Sequence, residues 1–225
     1  LTPITNVNLN IEQDINSNQI YVVDYDMKQA EIVMFAKGSK FDKEKYSIIK
    51  LHNEYFGGGM SSIVFQDLRE SKALAYSVYS TYTIPKKIDD SHYQFSYIGT
   101  QADKLSEAMD GMLGLLTQMP EANSNFNNAK EAVLQKIRTE RITKTKVLDY
   151  YEAAQKIKID YDQRKDLYDN ISDFSMENLR EFHNSHVNND NYTYMVLGNI
   201  EDLDMNILKR YGNVQVLSLE DIFGY

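Results

Sequence analysis

Apolar and polar positions along the chain switch between a period near two and a period near three and a half. Residues 19–25 and 31–36 are apolar almost throughout, at Ile20, Tyr21, Val22 and Val23 and again at Ile32, Val33, Met34 and Phe35. That is the pattern of largely buried strands. The short polar stretch at 26–29 predicts that they form an antiparallel hairpin. Gly38 ends this unit. Asp42 is placed to cap a helix through Tyr55, with Tyr46, Ile49, Tyr55 and Phe56 on its buried side. Gly57, Gly58 and Gly59 stop that helix, and the simplest reason is backbone of positive φ. Ser61 or Ser62 caps the next helix, which carries Ile63, Val64, Phe65 and Leu68. Residues 74–82 then alternate, with Leu74, Tyr76, Val78 and Tyr82 on one face. Residues 93–98 return as a strand with Tyr93, Phe95 and Tyr97 on one face.

The second half is mainly helical. Thr100 with Asp103 resembles a capping box. After it, Leu105, Met109, Met112, Leu116 and Met119 recur at helical spacing, and the methionines read as core filling. Pro120 closes that helix. Further helices are predicted over 124–137, 145–159 and 164–170, and another from a Ser175 cap to about Ser185. Strand 192–197, a short helix over 203–211 and strand 214–217 complete the chain. Strands come in adjacent pairs and helices in a block. This order predicts an α+β fold, a mainly antiparallel twisted sheet covered by helices. Residues 1–18 are rich in Asn, Thr and Ser and read as a linker or N-terminal arm. Residues 19–225 read as a single domain.

Composition narrows the function. The chain of 225 residues is 42% hydrophobic and 25% charged, as an ordinary globular protein is. Its net charge of -9 disfavours nucleic-acid binding, which needs a basic face. No apolar run is long enough to span a bilayer. The first residues lack a charged and an apolar region, so no signal peptide is expected in them. With no cysteine, disulfides, thiolate metal sites and cysteine nucleophiles are excluded.

Most candidate chemistry has a plainer explanation. The glycine run lacks the Lys and Ser/Thr of a phosphate loop, and a helix precedes it instead of a strand. His183 and His186 have no carboxylate between them, and they read as surface histidines at a helix end. His52 and Glu54 have the wrong spacing for a metal motif, and no H-x-x-E-H occurs. Lys136, Arg138, Arg141, Lys144 and Lys146 read as a solvated face. Arg69 and Tyr76 differ, because they sit on consecutive elements joined by a tight turn. A guanidinium and a phenol both donate hydrogen bonds, which suits a peptide carbonyl or the oxyanion formed when it is attacked.

At this stretch the sequence resembles the non-zinc-binding homologous domains of pitrilysin/insulysin-type zinc metallopeptidases, the inverzincins. The residues that carry the resemblance are Tyr55-Phe56-Gly57-Gly58-Gly59-Met60-Ser61-Ser62 and the run from Phe65 through Leu68-Arg69 to Leu74-Ala75-Tyr76-Ser77-Val78. Tyr194-Met195-Val196-Leu197-Gly198-Asn199 is similar to the family's closing strand. The resemblance implies the LuxS/mitochondrial-processing-peptidase-like metallohydrolase fold. It also implies a chambered endopeptidase that cleaves unfolded peptides, with this domain as its C-terminal, catalysis-assisting part. By the same resemblance Tyr76 donates to the scissile carbonyl, and Arg69 holds the substrate backbone and helps orient Tyr76. Gly57, Gly58, Gly59, Met60, Ser61 and Ser62 form a substrate-binding rim. No cofactor is expected in this chain. Zinc is expected on a homologous zinc-binding domain of the same chain or of a partner subunit, so this chain alone is expected to be inactive. The family setting is periplasmic or secreted rather than cytoplasmic. The alternative is a non-catalytic structural or peptide-binding domain of the same fold.

Overall fold

The computed structural model describes residues 12–224. Within them six strands form one sheet: β1 (Gln19–Asp24), β2 (Gln29–Lys40), β3 (Ser77–Tyr82), β4 (Ser91–Gln101), β5 (Thr193–Gly198) and β6 (Asn213–Leu217). The helices are α1 (Tyr46–Phe56), α2 (Leu105–Thr117), α3 (Asn123–Thr139), α4 (Lys144–Lys156), α5 (Arg164–Asn170), α6 (Met176–Phe182), α7 (Met205–Leu208) and α8 (Leu219–Phe223). Two segments, Phe65–Ser71 and His183–Val187, are wound as π-helix. The fold is α+β, as expected, and no helix among the described residues is long and apolar enough to cross a membrane. Residues 1–11 of the expected arm lie outside the described residues. Glu12 is held against β4, where its carboxylate accepts from the Ser91 backbone N–H and hydroxyl, each at 2.7 Å.

The strand order is β3-β4-β2-β5-β1-β6. This corrects the expected hairpin, because β5 lies between β1 and β2. β5 runs parallel to β1 and antiparallel to β2. Val196 of β5 thereby stands between Val22 and Ile32, so both apolar neighbours are satisfied by a strand from the far end of the chain. The link at residues 25–28 crosses two strand spacings, about 10 Å, which four extended residues reach. A second parallel strand, β6, completes that edge.

Alternate residues of each central strand are buried. Ile20, Val22, Ala30, Ile32, Met34, Ile98, Tyr194 and Val196 join one core with α1, α2, α3 and α6. The opposite face carries Phe35, Tyr79, Phe95 and Tyr97, where Tyr79 stacks on Phe95 and Tyr97 at 5.9 and 5.4 Å. Thr100 is fully buried in β4 and does not cap α2; its hydroxyl donates to the Leu74 carbonyl at 2.6 Å.

The outer edge of β3 is closed by the end of α1. Asn53 brackets Tyr82, accepting from its N–H at 2.8 Å and donating to its carbonyl at 2.9 Å. The Ser80 N–H donates to the Gly57 carbonyl at 3.2 Å. A β-carbon at position 57 would lie 2.2 Å from the Ser80 carbonyl oxygen. Gly57 has φ −142°, and among the described residues the only glycine with positive φ is Gly224. The glycine run is therefore not a positive-φ turn. At Gly57 it is a point of backbone contact, and it covers an edge that would otherwise be open to pairing. Under it, Ser80, Ser96 and Gln94 are fully or almost fully buried and bond to one another at 2.7–3.2 Å.

His183 is not a surface residue, and His186 is only partly exposed. His183 is fully buried, and its Nε2 lies 2.8 Å from the Leu116 carbonyl, which only an N–H can satisfy. Its Nδ1 is then the acceptor for His52 Nε2 at 3.1 Å. His52 is also buried and stacks on Phe56. His92 and His186 flank the Tyr82 ring. Burial pushes all four imidazoles below the ordinary histidine range, His183 to about 4. For His52 the neighbouring His183 adds to that effect.

Two outcomes follow from this packing. Gly57→Ala forces the Ser80 backbone away, and the unfolding free energy should fall by about 2 kcal/mol; an unchanged urea midpoint would refute the contact. The histidines bind protons in the unfolded chain near pH 6.5 but in the folded chain only at lower pH. Their stabilisation is complete above pH ~6.5 and lost as pH falls toward about 4. The carboxylate of Glu12, held at about 2, loses its contribution only below its ordinary value of 4.5. Urea midpoints should therefore already drop between pH 7 and pH 5. A flat profile over that interval would contradict the buried neutral pairs.

Candidate functional site

The chain leaves α1 at Gly57, turns through Met60 and re-enters helix at Ile63. Ser62 is buried and caps that helix, accepting from the Phe65 N–H at 3.4 Å. The segment then widens into π-helix, closed by the Lys72 N–H donating to the Asp67 carbonyl at 3.0 Å. π-turns are uncommon and gather at functional sites. Leu68 anchors the segment, fully buried against α2. A β-carbon at Gly111 would sit 2.6 Å from the Leu68 side chain, so this glycine sets how closely the two helices approach. With Leu68 inward, Arg69 projects outward. Its guanidinium lies over the Phe65 ring at 4.8 Å, and its Nε is 3.9 Å from the Glu70 carboxylate.

Ala73 makes the turn toward β3 with φ +49°, an uncommon conformation for a residue with a β-carbon. Several bonds hold this turn and the residues after it. The Leu74 N–H donates to the Leu68 carbonyl at 2.8 Å, and Lys104 Nζ donates to the Ala73 carbonyl at 3.1 Å. The Tyr76 N–H donates to the Gly99 carbonyl at 2.8 Å. Tyr76 precedes β3 and does not share the inward face of Val78 and Tyr82. Leu74 and Ala75 are both buried in succession, which breaks the alternation and leaves Tyr76 51% exposed.

Arg69 and Tyr76 line one open cavity of about 350 Å³ with Glu70, Leu74, Gln101 and Lys104. The Tyr76 phenol oxygen accepts from Gln101 Nε2 at 2.6 Å, so its contact is with Gln101 and not with Arg69. The glycine run does not line this cavity. Gly57 and Ser62 are buried, whereas Gly58, Met60 and Ser61 are exposed beyond the end of α1. Gln101 and Lys104 escape a reading of the sequence. Gln101 stands 25 residues after Tyr76, and only the β3–β4 register brings the two together.

A zinc ion takes three or four nitrogen, sulfur or carboxylate ligands. Among the described residues no three of His, Cys, Asp and Glu stand close enough to hold a metal ion. The facing nitrogens of His52 and His183 are spent on each other, and the outer nitrogen of His183 on Leu116. These residues do not fit the metal of the resembling peptidases. What the cavity offers is hydrogen-bond donors and positive charge.

Comparison with known proteins agrees with this architecture. A stretch of 108 residues is 38% identical to the uncharacterized zinc protease YmxG of Bacillus subtilis, covering 46% of this chain and 25% of that protein. The peptidase M16 inactive domain from Pseudomonas fluorescens superposes with a TM-score of 0.69 at 19% identity, over 85% of this chain and 46% of that one. A protease from Helicobacter pylori superposes with a TM-score of 0.66 at 16% identity, over 80% and 44%. The chain thus spans about half the length of these two solved structures. Residues 4–138, more than half of the chain, match the peptidase M16 inactive domain, and the chain belongs to that family.

Proposed function

We propose that this chain is the substrate-binding and catalysis-assisting domain of a zinc endopeptidase acting on unfolded peptides. A homologous domain, in the same protein or in a partner subunit, supplies the zinc. The observation that carries this reading is the shared cavity: Arg69 and Tyr76 face one space with donors to spare. The phenol oxygen already accepts a bond from Gln101, which leaves its O–H free to donate. Among the described residues Arg69 meets the face of the Phe65 ring and a carboxylate 3.9 Å away, so several of its N–H groups remain for peptide carbonyls. When a peptide carbonyl becomes tetrahedral its oxygen gains charge, and a donor already aimed there lowers the barrier. In this role Tyr76 donates to that oxygen and Arg69 holds the adjacent backbone. A zinc ion, held by residues of the opposing domain and by none of this chain's, would supply Lewis-acid polarisation and the attacking water. The resemblance to named zinc proteases supports the reaction class.

In the assembled peptidase Tyr76→Phe should lower kcat about 100-fold, the scale of losing one oxyanion donor, with KM little changed. Turnover at the wild-type rate in that variant, measured with a quenched fluorescent peptide, would defeat the proposal.

A further inference from the structure

We propose that Gln101 is a positioning residue for Tyr76, a role that rests on the function proposed above for the phenol. Tyr76 is half exposed and stands outside the strand ladder proper, so nothing in its own element fixes its ring. The end of β4 does. There the Gly99 carbonyl takes the Tyr76 backbone N–H at 2.8 Å, and two residues later the Gln101 amide donates to the phenol oxygen at 2.6 Å. Backbone and side-chain tip are thus held by one strand end, the tip through a bond at the surface. Lys104, just beyond, holds the Ala73 carbonyl and so fixes the turn from the other side.

The direction of the Gln101 bond decides what the phenol can do. A phenol has one proton to give and lone pairs to receive. An amide N–H on a lone pair leaves the proton for another acceptor and polarises the O–H toward it. Both residues line the cavity that Arg69 faces, so the freed proton is directed to a ligand bound there. A carboxylate at position 101 would do the reverse, accepting the phenol's proton and withdrawing it. A side chain shorter by one methylene would fall short of the phenol.

The test is a double-mutant cycle on the assembled peptidase, reading kcat and KM separately. Gln101→Leu should lower kcat about 10-fold, the scale of one hydrogen bond, and leave KM unchanged. In a Tyr76→Phe background the same substitution should change nothing further. Gln101→Glu keeps the shape and guards against misfolding. It should be the slower variant at neutral pH, and its rate relative to wild type at the same pH should rise as the pH falls through the carboxylate range, a profile that a purely structural role does not produce. Wild-type kcat in Gln101→Leu, or an equal loss with and without the Tyr76 hydroxyl, overturns the inference while the function of Tyr76 stands. Wild-type turnover in Tyr76→Phe overturns both, since an idle phenol needs no positioning.

Discussion

The approach of Gly57 to Ser80 is the contact on which the site's geometry depends. A helix end meets a strand edge backbone to backbone, and no side chain fits between them. One consequence is that β3 is no longer an open edge, because Asn53 and Gly57 satisfy the outward groups of Tyr82 and Ser80. Another is that the chain must leave α1 at a fixed point beside the sheet. From there the connection back to β3 has little freedom, and the π-helix occupies it. Leu68 over Gly111 sets the height of that helix, and the turn at Ala73 returns the chain to β4. Arg69 and Tyr76 reach one cavity because both ends of this excursion are pinned.

The buried polar groups below the contact belong to the same solution. Ser80 and Ser96 are small, so α1 can sit close, and Gln94 ties their hydroxyls together. A buried hydroxyl left without a partner would cost about 1–3 kcal/mol. The histidines solve a similar problem on the other flank of α1. His52 reaches His183, and His183 reaches the last turn of α2, so three helical segments are joined through two neutral rings. That arrangement works only while the rings stay uncharged, because protonating His183 Nδ1 removes the acceptor His52 uses.

Local pattern carries most of the elements and few of their meetings. The period along Leu105–Leu116 identifies a helix and its buried face, and the structure buries Leu105, Met109, Met112 and Leu116. The Ser175 cap is also visible, since capping is decided within one turn. Pairing is not local. β5 separates β1 from β2 across more than 150 residues, and no short window contains that information. The glycine run shows the same limit: its effect as a breaker is local, but its reason lies on β3. The Arg69–Tyr76 pair is legible from a motif. Gln101 is not, because its role depends on register, and its neighbours in sequence say nothing of a phenol 25 residues earlier. Alternation misassigns the inward face of 74–82 because it assumes a continuous ladder, whereas the strand begins only at Ser77.

The site is firm behind and open in front. Behind it, Gly99, Thr100, Gln101 and Lys104 hold the turn by backbone and side chain alike. In front, Arg69 and Tyr76 face solvent about half exposed. A hydrogen-bond donor in open water competes with water for the same acceptor, and the gain to a developing charge is small. The same donor in a closed, water-poor space is worth far more, because the field is no longer screened and no solvent must reorganise. On the proposed function, donors arranged in advance but left uncovered are half of a site, and a second surface that excludes water and brings an acceptor within reach would complete them. The chain's span of about half the length of the structures it resembles leaves room in such proteins for that surface.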